Sequence, residues 1–307
     1  MQSLWTGRTD GSGAEHARWH QEIIEAHPDA PPGIALVGYA SDEGVRRNKG
    51  RAGAADGPAA IRRALAPLAR HTDIPLYDAG DIEVFDQDLE SAQDALAQRV
   101  GSLLDQHRLV VALGGGHDIA WSTYQGGQLS GRLSGKRLAI INLDAHFDLR
   151  AAEQPTSGTP FRQIAAAESA AGRNIDYTVY GIARSANTRA LFAEAESLGV
   201  SFIEDVECTP RHLPAVLDSV AKVIARADVI HLSIDLDVLP AATAPGVSAP
   251  AAYGVPLETI AAICEFLAAS QKLTVVDIAE LNPAHDIDSR TARVAARLVD
   301  TIANTLR

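Results

Sequence analysis

The chain has 307 residues, 46% of them hydrophobic, enough for one large core or at most two domains. With 39 acidic residues against 27 lysines and arginines it carries a formal charge of −12, which argues against nucleic acid or an anionic membrane surface as partner, since both need clustered cations. Its two cysteines, Cys208 and Cys264, lie far apart and near no metal-type pattern, so they read as reduced thiols of a cytoplasmic protein. The opening MQSLWTGRTDGSGAEHARWHQ has no apolar core and is not expected to be a signal peptide. No run approaches the roughly 18 apolar residues of a membrane span, so no membrane association is expected.

From the amino end, short apolar runs alternate with amphipathic ones. IALVGYA (34–40) is the first predicted strand, followed by PAAIRRALAPLAR (58–70), a helix opened by proline, a good first helical residue. IPLYDAG (74–80) and DLESAQDALAQRVGSLLDQH (88–107) repeat the strand–helix pair, as do LVVALGG (109–115) and a helix over about 118–129. LAIINLD (138–144) and YTVYGIA (177–183) are strands, and a helix follows over 188–198. SFIEDV (201–206), VIHLSIDLDVL (229–239) and LTVVDIAEL (273–281) complete the strands, with helices over 212–226, 256–269 and 289–306.

These eight strands are nearly continuous in apolar character, as strands covered on both faces are. Strands alternating with helices predict an α/β fold with a parallel sheet, in one domain over 1–307. Alternation leaves open whether the sheet is open or an eight-stranded barrel, but both place ligands beyond the carboxyl ends of the strands.

Four predicted strand ends there are polar. They read GGGHD (114–118), DAHFD (144–148), SIDLDVLP (233–240) and DIAELNP (277–283). Taken singly, each has a plain reading: a turn with Asp118 capping a helix, a solvated turn, an edge strand with a polar face. Together they say more. Side chains two apart in extended chain point the same way, so Asp144 and His146 share a side, as do Asp235 and Asp237, while Leu236 faces the core. Converging carboxylates would repel one another unless cations lie between them. An oxygen-rich set with two imidazoles and no thiolate suits Mn²⁺ or Fe²⁺ better than structural zinc.

GGGHD, DAHFD and SIDLDVLPAATAPG, in that order, with EGVRRNKGRAGAADGPAAIRRAL (43–65) before them and DIAELNP after, resemble the ureohydrolase family of arginases, agmatinases and formimidoylglutamases. The resemblance implies a three-layer α/β/α domain, arginase-like, with about eight parallel strands. It implies two Mn²⁺ ions per chain. His117, Asp144, Asp148 and Asp235 would hold one, and Asp144, His146, Asp235 and Asp237 the other, so that Asp144 and Asp235 bridge. Asp148 would also orient the attacking water and relay its proton, and Glu280 would pair with the cationic substrate. A homo-oligomer, trimer or hexamer, is the family expectation.

Within the family the formimidoylglutamase branch is the best match. Phe147 stands where arginases and agmatinases usually have Thr, and Ser157 in TSGTPFRQ (156–163) stands where agmatinases have a histidine. YGIARSANTRALF (180–192), APGVSAP (244–250) and WTGRTD (5–10) lean the same way. The expected small-molecule substrate is then N-formimidoyl-L-glutamate, whose two carboxylates call for arginines. Arg150, Arg162 and Arg184 are the leading candidates, with Arg46 and Arg47 behind them. The alternatives are a guanidino hydrolase and an inactive metal-bound relative. The histidines His107, His212, His231 and His285 belong to no motif.

Overall fold

The computed structural model describes residues 4–306, so the outermost residues of the expected 1–307 domain lie outside it. Among the described residues the strands are β1 Ile23–Glu25, β2 Ile34–Ala40, β3 Leu76–Glu83, β4 Leu109–Leu113, β5 Leu138–Leu143, β6 Tyr177–Ile182, β7 Ser201–Glu204, β8 Val229–Asp235 and β9 Leu273–Ala279. The helices are α1 Trp19–Glu22, α2 Glu43–Arg47, α3 Gly57–Leu65, α4 Leu89–Gln106, α5 Ile119–Leu129, α6 Pro160–Ala170, α7 Arg189–Ser197, α8 Leu213–Arg226, α9 Leu257–Ala269 and α10 Arg290–Thr305.

Every ladder between these strands is parallel, in the order β1-β3-β2-β4-β9-β8-β5-β6-β7. The order begins at β1 and ends at β7, so the sheet is open and the barrel alternative falls. Helices cover both faces. In β2 the pleat is visible: Ile34 and Leu36 pack with α3, α8, α9 and α10, whereas Ala35, Val37 and Tyr39 pack toward α4 and α5. A further cluster joins α5 to α6 and α7 on the second face. Burial on both sides is why these strands read as unbroken apolar runs. Among the described residues no helix is long and apolar enough to cross a membrane.

Three elements depart from the expected pattern. β1 is only three residues long and lies at the sheet edge, too short to leave a periodic signal. TSGTPFRQ, which falls in no predicted element, is partly helical. α6 starts inside it at Pro160, which lacks the N–H that a first turn leaves unpaired anyway, and Phe161, Ile164 and Ala165 form its buried stripe. The predicted helix at 58–70 ends early, at Leu65, ahead of Pro67.

One buried ion pair ties α3 to the sheet. Arg62 makes a bidentate contact to Asp78 on β3, both bonds 2.9 Å, with side chains 1% and 3% exposed. Asp78 also accepts from Trp5 Nε1 at 2.7 Å. Removing one partner of such a pair leaves the other charge buried without its counterion. Arg62→Met is therefore expected to cost about 3–5 kcal/mol of stability. A urea titration checks this; a midpoint within error of the parent's would refute it.

Candidate metal centre and active-site cavity

The strands that carry the polar motifs, β4, β9, β8 and β5, are four consecutive neighbours in the middle of the sheet. After β4 the chain turns through Gly114–Gly116 into α5, with His117 at the turn. The glycines are needed for closeness rather than for flexibility, because a Cβ on Gly115 would collide with the Ser41 carbonyl oxygen. Asp144, His146 and Asp148 follow β5, Asp235 ends β8, Asp237 lies in the turn after it, and Glu280 follows β9. Leu236, between the two aspartates, is buried in the core, as the alternation predicted.

His117 Nδ1 lies 3.1 Å from Asp144 Oδ2, 2.9 Å from Asp148 Oδ2 and 3.2 Å from Asp235 Oδ2. It is nevertheless unaligned for a hydrogen bond with any of them. Beside it, His146 Nδ1 stands 3.1 Å from Asp237 Oδ2 and 3.5 Å from Asp144 Oδ1. Ligand atoms of His117, Asp144, Asp148 and Asp235 lie within 4.8 Å of one another, and so do those of Asp144, His146 and Asp237. Asp144 belongs to both groups; Asp235 belongs to the first only.

Backbone and side-chain donors hold the carboxylates in place. Asp144 accepts from His146 N at 2.6 Å and from Asn142 Nδ2 at 2.9 Å. Asp235 accepts from Asp237 N at 2.8 Å, and Glu280 from His117 N at 3.1 Å. Asp148 and Glu280 both adopt left-handed backbone, at φ 48° and 70°, as does Lys49 nearby, at φ 62°. Each such residue stores strain of order 1–3 kcal/mol, which the surrounding packing sustains.

The electrostatics are those of an acidic, buried site. Burial opposes the His146 imidazolium, but Asp237 and Asp144 override it and push its pKa up to about 12. Burial likewise opposes charge on His117, and Asp144, Asp148 and Asp235 outweigh it. Burial, then the Asp237 and Asp144 charges, drive Asp235 well above the carboxylate range. Burial and the Asp237 charge carry Glu280 up to about 8. Asp144 moves the other way: burial would raise it, but the His117 and His146 imidazoles beside it hold it low. Five carboxylates face two imidazoles here, a surplus of negative charge that demands cations. The carboxylate and imidazole donors, together with a His117 Nδ1 aimed at three carboxylates without bonding to them, fit a divalent ion such as Mn²⁺.

A cavity of about 320 Å³ opens over this cluster. His146, Asp148, Asp235, Asp237 and Glu280 line one side, and Asn48, Lys49, Gly50, Arg51, Arg150, Ser157, Ser248 and Ala249 the rest. A larger cavity, about 560 Å³, lies toward the amino ends of β5 and β8. Its Arg137, Arg173 and Arg226 are already paired with Asp228, Glu168 and Asp176, and it holds none of the clustered ligands.

Arg150 and Ser157 thus line the cavity, Ser157 accepting from Asn48 Nδ2 at 3.1 Å. Arg162 and Arg184, the other two expected anchors, do not line it. Arg162 pairs with Glu194 at 2.6 Å. Arg184 is bound to Glu204, with its guanidinium 5.0 Å from the Phe192 ring centroid and its side chain 68% exposed. Arg46 and Arg47 are likewise paired, with Asp42 and with Glu43 and Glu90. Phe147 turns away from the cavity into an aromatic cluster with Phe192 and Phe202, ring centroids 5.1 and 5.2 Å away. What the motifs missed is Asn48, Lys49, Arg51 and Ser248. Among the described residues Lys49 has no ion-pair partner, whereas Arg51 is occupied by the Ser248 carbonyl at 3.0 Å. The only signal for them was their place in the 43–65 and 244–250 segments.

A family model described as the arginase family matches residues 32–304. The chain is 55% identical over 300 residues to a formimidoylglutamase of Nocardia farcinica, covering 97% of this chain and 95% of that one. It superposes on a crystal structure of formimidoylglutamase from Bacillus subtilis with a TM-score of 0.83 at 24% identity, covering 98% of this chain and 93% of that one, a likeness of fold. Against a crystal structure of Trypanosoma cruzi formiminoglutamase with Mn²⁺ the TM-score is 0.80 at 27% identity, covering 89% of this chain and 93% of that one. The matched segment contains every strand but β1 and all the residues of the buried cluster, and this chain belongs to the arginase family.

Proposed function

We propose that the chain hydrolyses the amidine C–N bond of N-formimidoyl-L-glutamate, giving L-glutamate and formamide, at a centre of two Mn²⁺ ions. One observation carries this reading. His146, Asp148, Asp235 and Asp237, members of two ligand groups that share Asp144, line the same cavity as Lys49 and Arg150. The 55% identity to the Nocardia farcinica formimidoylglutamase supports the choice of substrate.

His117, Asp144, Asp148 and Asp235 would hold one ion, and Asp144, His146, Asp235 and Asp237 the other. Bound there, the ions would supply Lewis-acid charge and lower the pKa of a water facing the amidine carbon. The protein's own groups do the rest. Asp148, in the cavity wall, accepts the water's proton and returns it to the departing glutamate nitrogen as the C–N bond breaks. The Glu280 carboxylate pairs with the amidinium, whose positive charge favours the ionised form that burial opposes. Lys49 and Arg150 grip the substrate's carboxylates, and the Asn48–Ser157 pair stiffens the wall between them.

The same reading carries one catalytic domain, a cytoplasmic location and a trimer or hexamer in solution. Both cysteines are free and buried, in keeping with a reducing compartment. Sedimentation of the purified chain tests the assembly.

The activity test is direct. The Mn²⁺-loaded chain is incubated with N-formimidoyl-L-glutamate, L-arginine and agmatine, and formamide and urea are measured. Formamide from the first supports the proposal; urea without formamide makes the chain a guanidino hydrolase, and neither product makes it an inactive relative. Arg150→Ala is expected to lower kcat/KM about 10- to 100-fold, mainly through KM, because it removes one charged contact to the substrate. Its manganese content should stay at the parent's. A larger loss from Arg184→Ala would overturn this anchor.

A further inference from the structure

Behind His117 runs a second line of buried polar groups, two of which, Ser233 and Asp277, open the SIDLDVLP and DIAELNP segments. His117 Nε2 stands 2.8 Å from Ser233 Oγ, and Ser233 Oγ is in close contact with Asp277 Oδ1. The other oxygen, Asp277 Oδ2, receives His231 Nε2 at 2.5 Å and Thr123 Oγ1 at 2.8 Å. His231, Ser233, Asp277 and Thr123 are all fully buried. None of them lines the cavity.

The order of donors in this chain is forced. A carboxylate only accepts, so both the Ser233 hydroxyl and His231 Nε2–H are spent on Asp277. Having given its proton to Asp277, Ser233 can only accept from His117. The proton of the His117 ring must then lie on Nε2. When the ring is neutral, as ligation requires, its Nδ1 therefore keeps the lone pair, on the side where Asp144, Asp148 and Asp235 lie.

We propose that Ser233 and Asp277 are positioning residues, which lock His117 in the Nε2–H form and so present Nδ1 to the metal. His231 and Thr123 hold Asp277 in turn. A wrongly protonated Nδ1 would have to lose its proton and the ring would have to be re-aimed before it could ligate. The inference rests on the reading that His117 holds an ion, and the test separates the two.

Ser233→Thr and Ser233→Val add the same bulk at this buried position and differ in the hydroxyl alone, so any packing penalty is common to both. Manganese titration of the full chain is expected to show Ser233→Val binding about 10- to 100-fold more weakly than Ser233→Thr, with a similar loss for Asp277→Asn. Val also leaves Asp277 Oδ1 and His117 Nε2–H without their hydroxyl partner, so its metal-free unfolding temperature should fall below that of the Thr variant, and both titrations are run well below either transition. His117→Ala is the control, expected to lose affinity for at least one ion. If His117→Ala binds as the parent does, the metal reading fails and takes the inference with it. If His117→Ala loses manganese while the Thr and Val variants bind equally, the inference alone is overturned. Should the strand variants not fold, the parent chain decides. Labelled with ¹⁵N in its histidine rings and kept free of metal, at a pH where the ring is neutral, it is expected to show a directly bonded proton on Nε2 of the ring whose signal His117→Ala lacks; a proton on Nδ1 overturns the proposal.

Discussion

Asp144→Asn is expected to lower formamide release by about 10⁴-fold and to leave fewer than two manganese ions on each chain, a loss of several kcal/mol of transition-state stabilisation. Asp144 is fully buried and is the one residue common to both ligand groups. The substitution removes a charge from each group at once. It also puts an amide NH₂ where Asp144 now accepts from His146 N and from Asn142 Nδ2, so one of those donors would face another donor. Asp237→Asn touches only the second group and should cost far less, about 10²-fold. Steady-state kinetics and elemental analysis of both variants check the ordering. Equal and mild losses would mean that Asp144 does not serve two ions.

Substrate choice should show the next largest effect. The kcat/KM for N-formimidoyl-L-glutamate is expected to exceed that for agmatine by about 10⁴-fold or more, because a site built for polar contacts strongly rejects a substrate that leaves them unmade. Agmatine has no carboxylate and would set its second cation against Lys49 and Arg150 in the cavity wall. L-Arginine offers one carboxylate instead of two and should fall between. Formamide and urea assays at matched manganese measure the ratio. Agmatine or arginine turned over faster than formimidoylglutamate would reassign the site to guanidino substrates.

Much of the fold was legible in residue order. Runs such as IALVGYA and VIHLSIDLDVL are apolar on both faces because helices cover both sides of the sheet, and that pattern needs no tertiary knowledge to recognise. The ligand cluster was legible as well. The two-residue spacing in Asp144–His146 and Asp235–Asp237 places partners together, and Leu236 between the latter two is buried as alternation requires. The three-residue strand β1 and the helix α6 inside TSGTPFRQ escaped, one too short for periodicity and the other beginning amid turn-like residues.

Other features were decided only by the tertiary structure. The motifs meet because β4, β9, β8 and β5 are neighbours, an order chain sequence does not dictate; it sets His117 N against Glu280 across 163 residues. Which cations face the cavity was also hidden. Long charged side chains reach whatever carboxylate lies near, so Arg184 and Arg162 are paired elsewhere, with Glu204 and Glu194, while Lys49 remains in the cavity wall. Ser233 and Asp277 open two of the polar segments, but residue order does not join them, since Asp277 sits on β9 while Ser233 and His231 sit on β8. Local pattern fixes what each residue can do, because periodicity and burial act over a few residues. Which distant group it does it with depends on strand order and on the rotamers of long side chains, and those are set only when the whole sheet has packed.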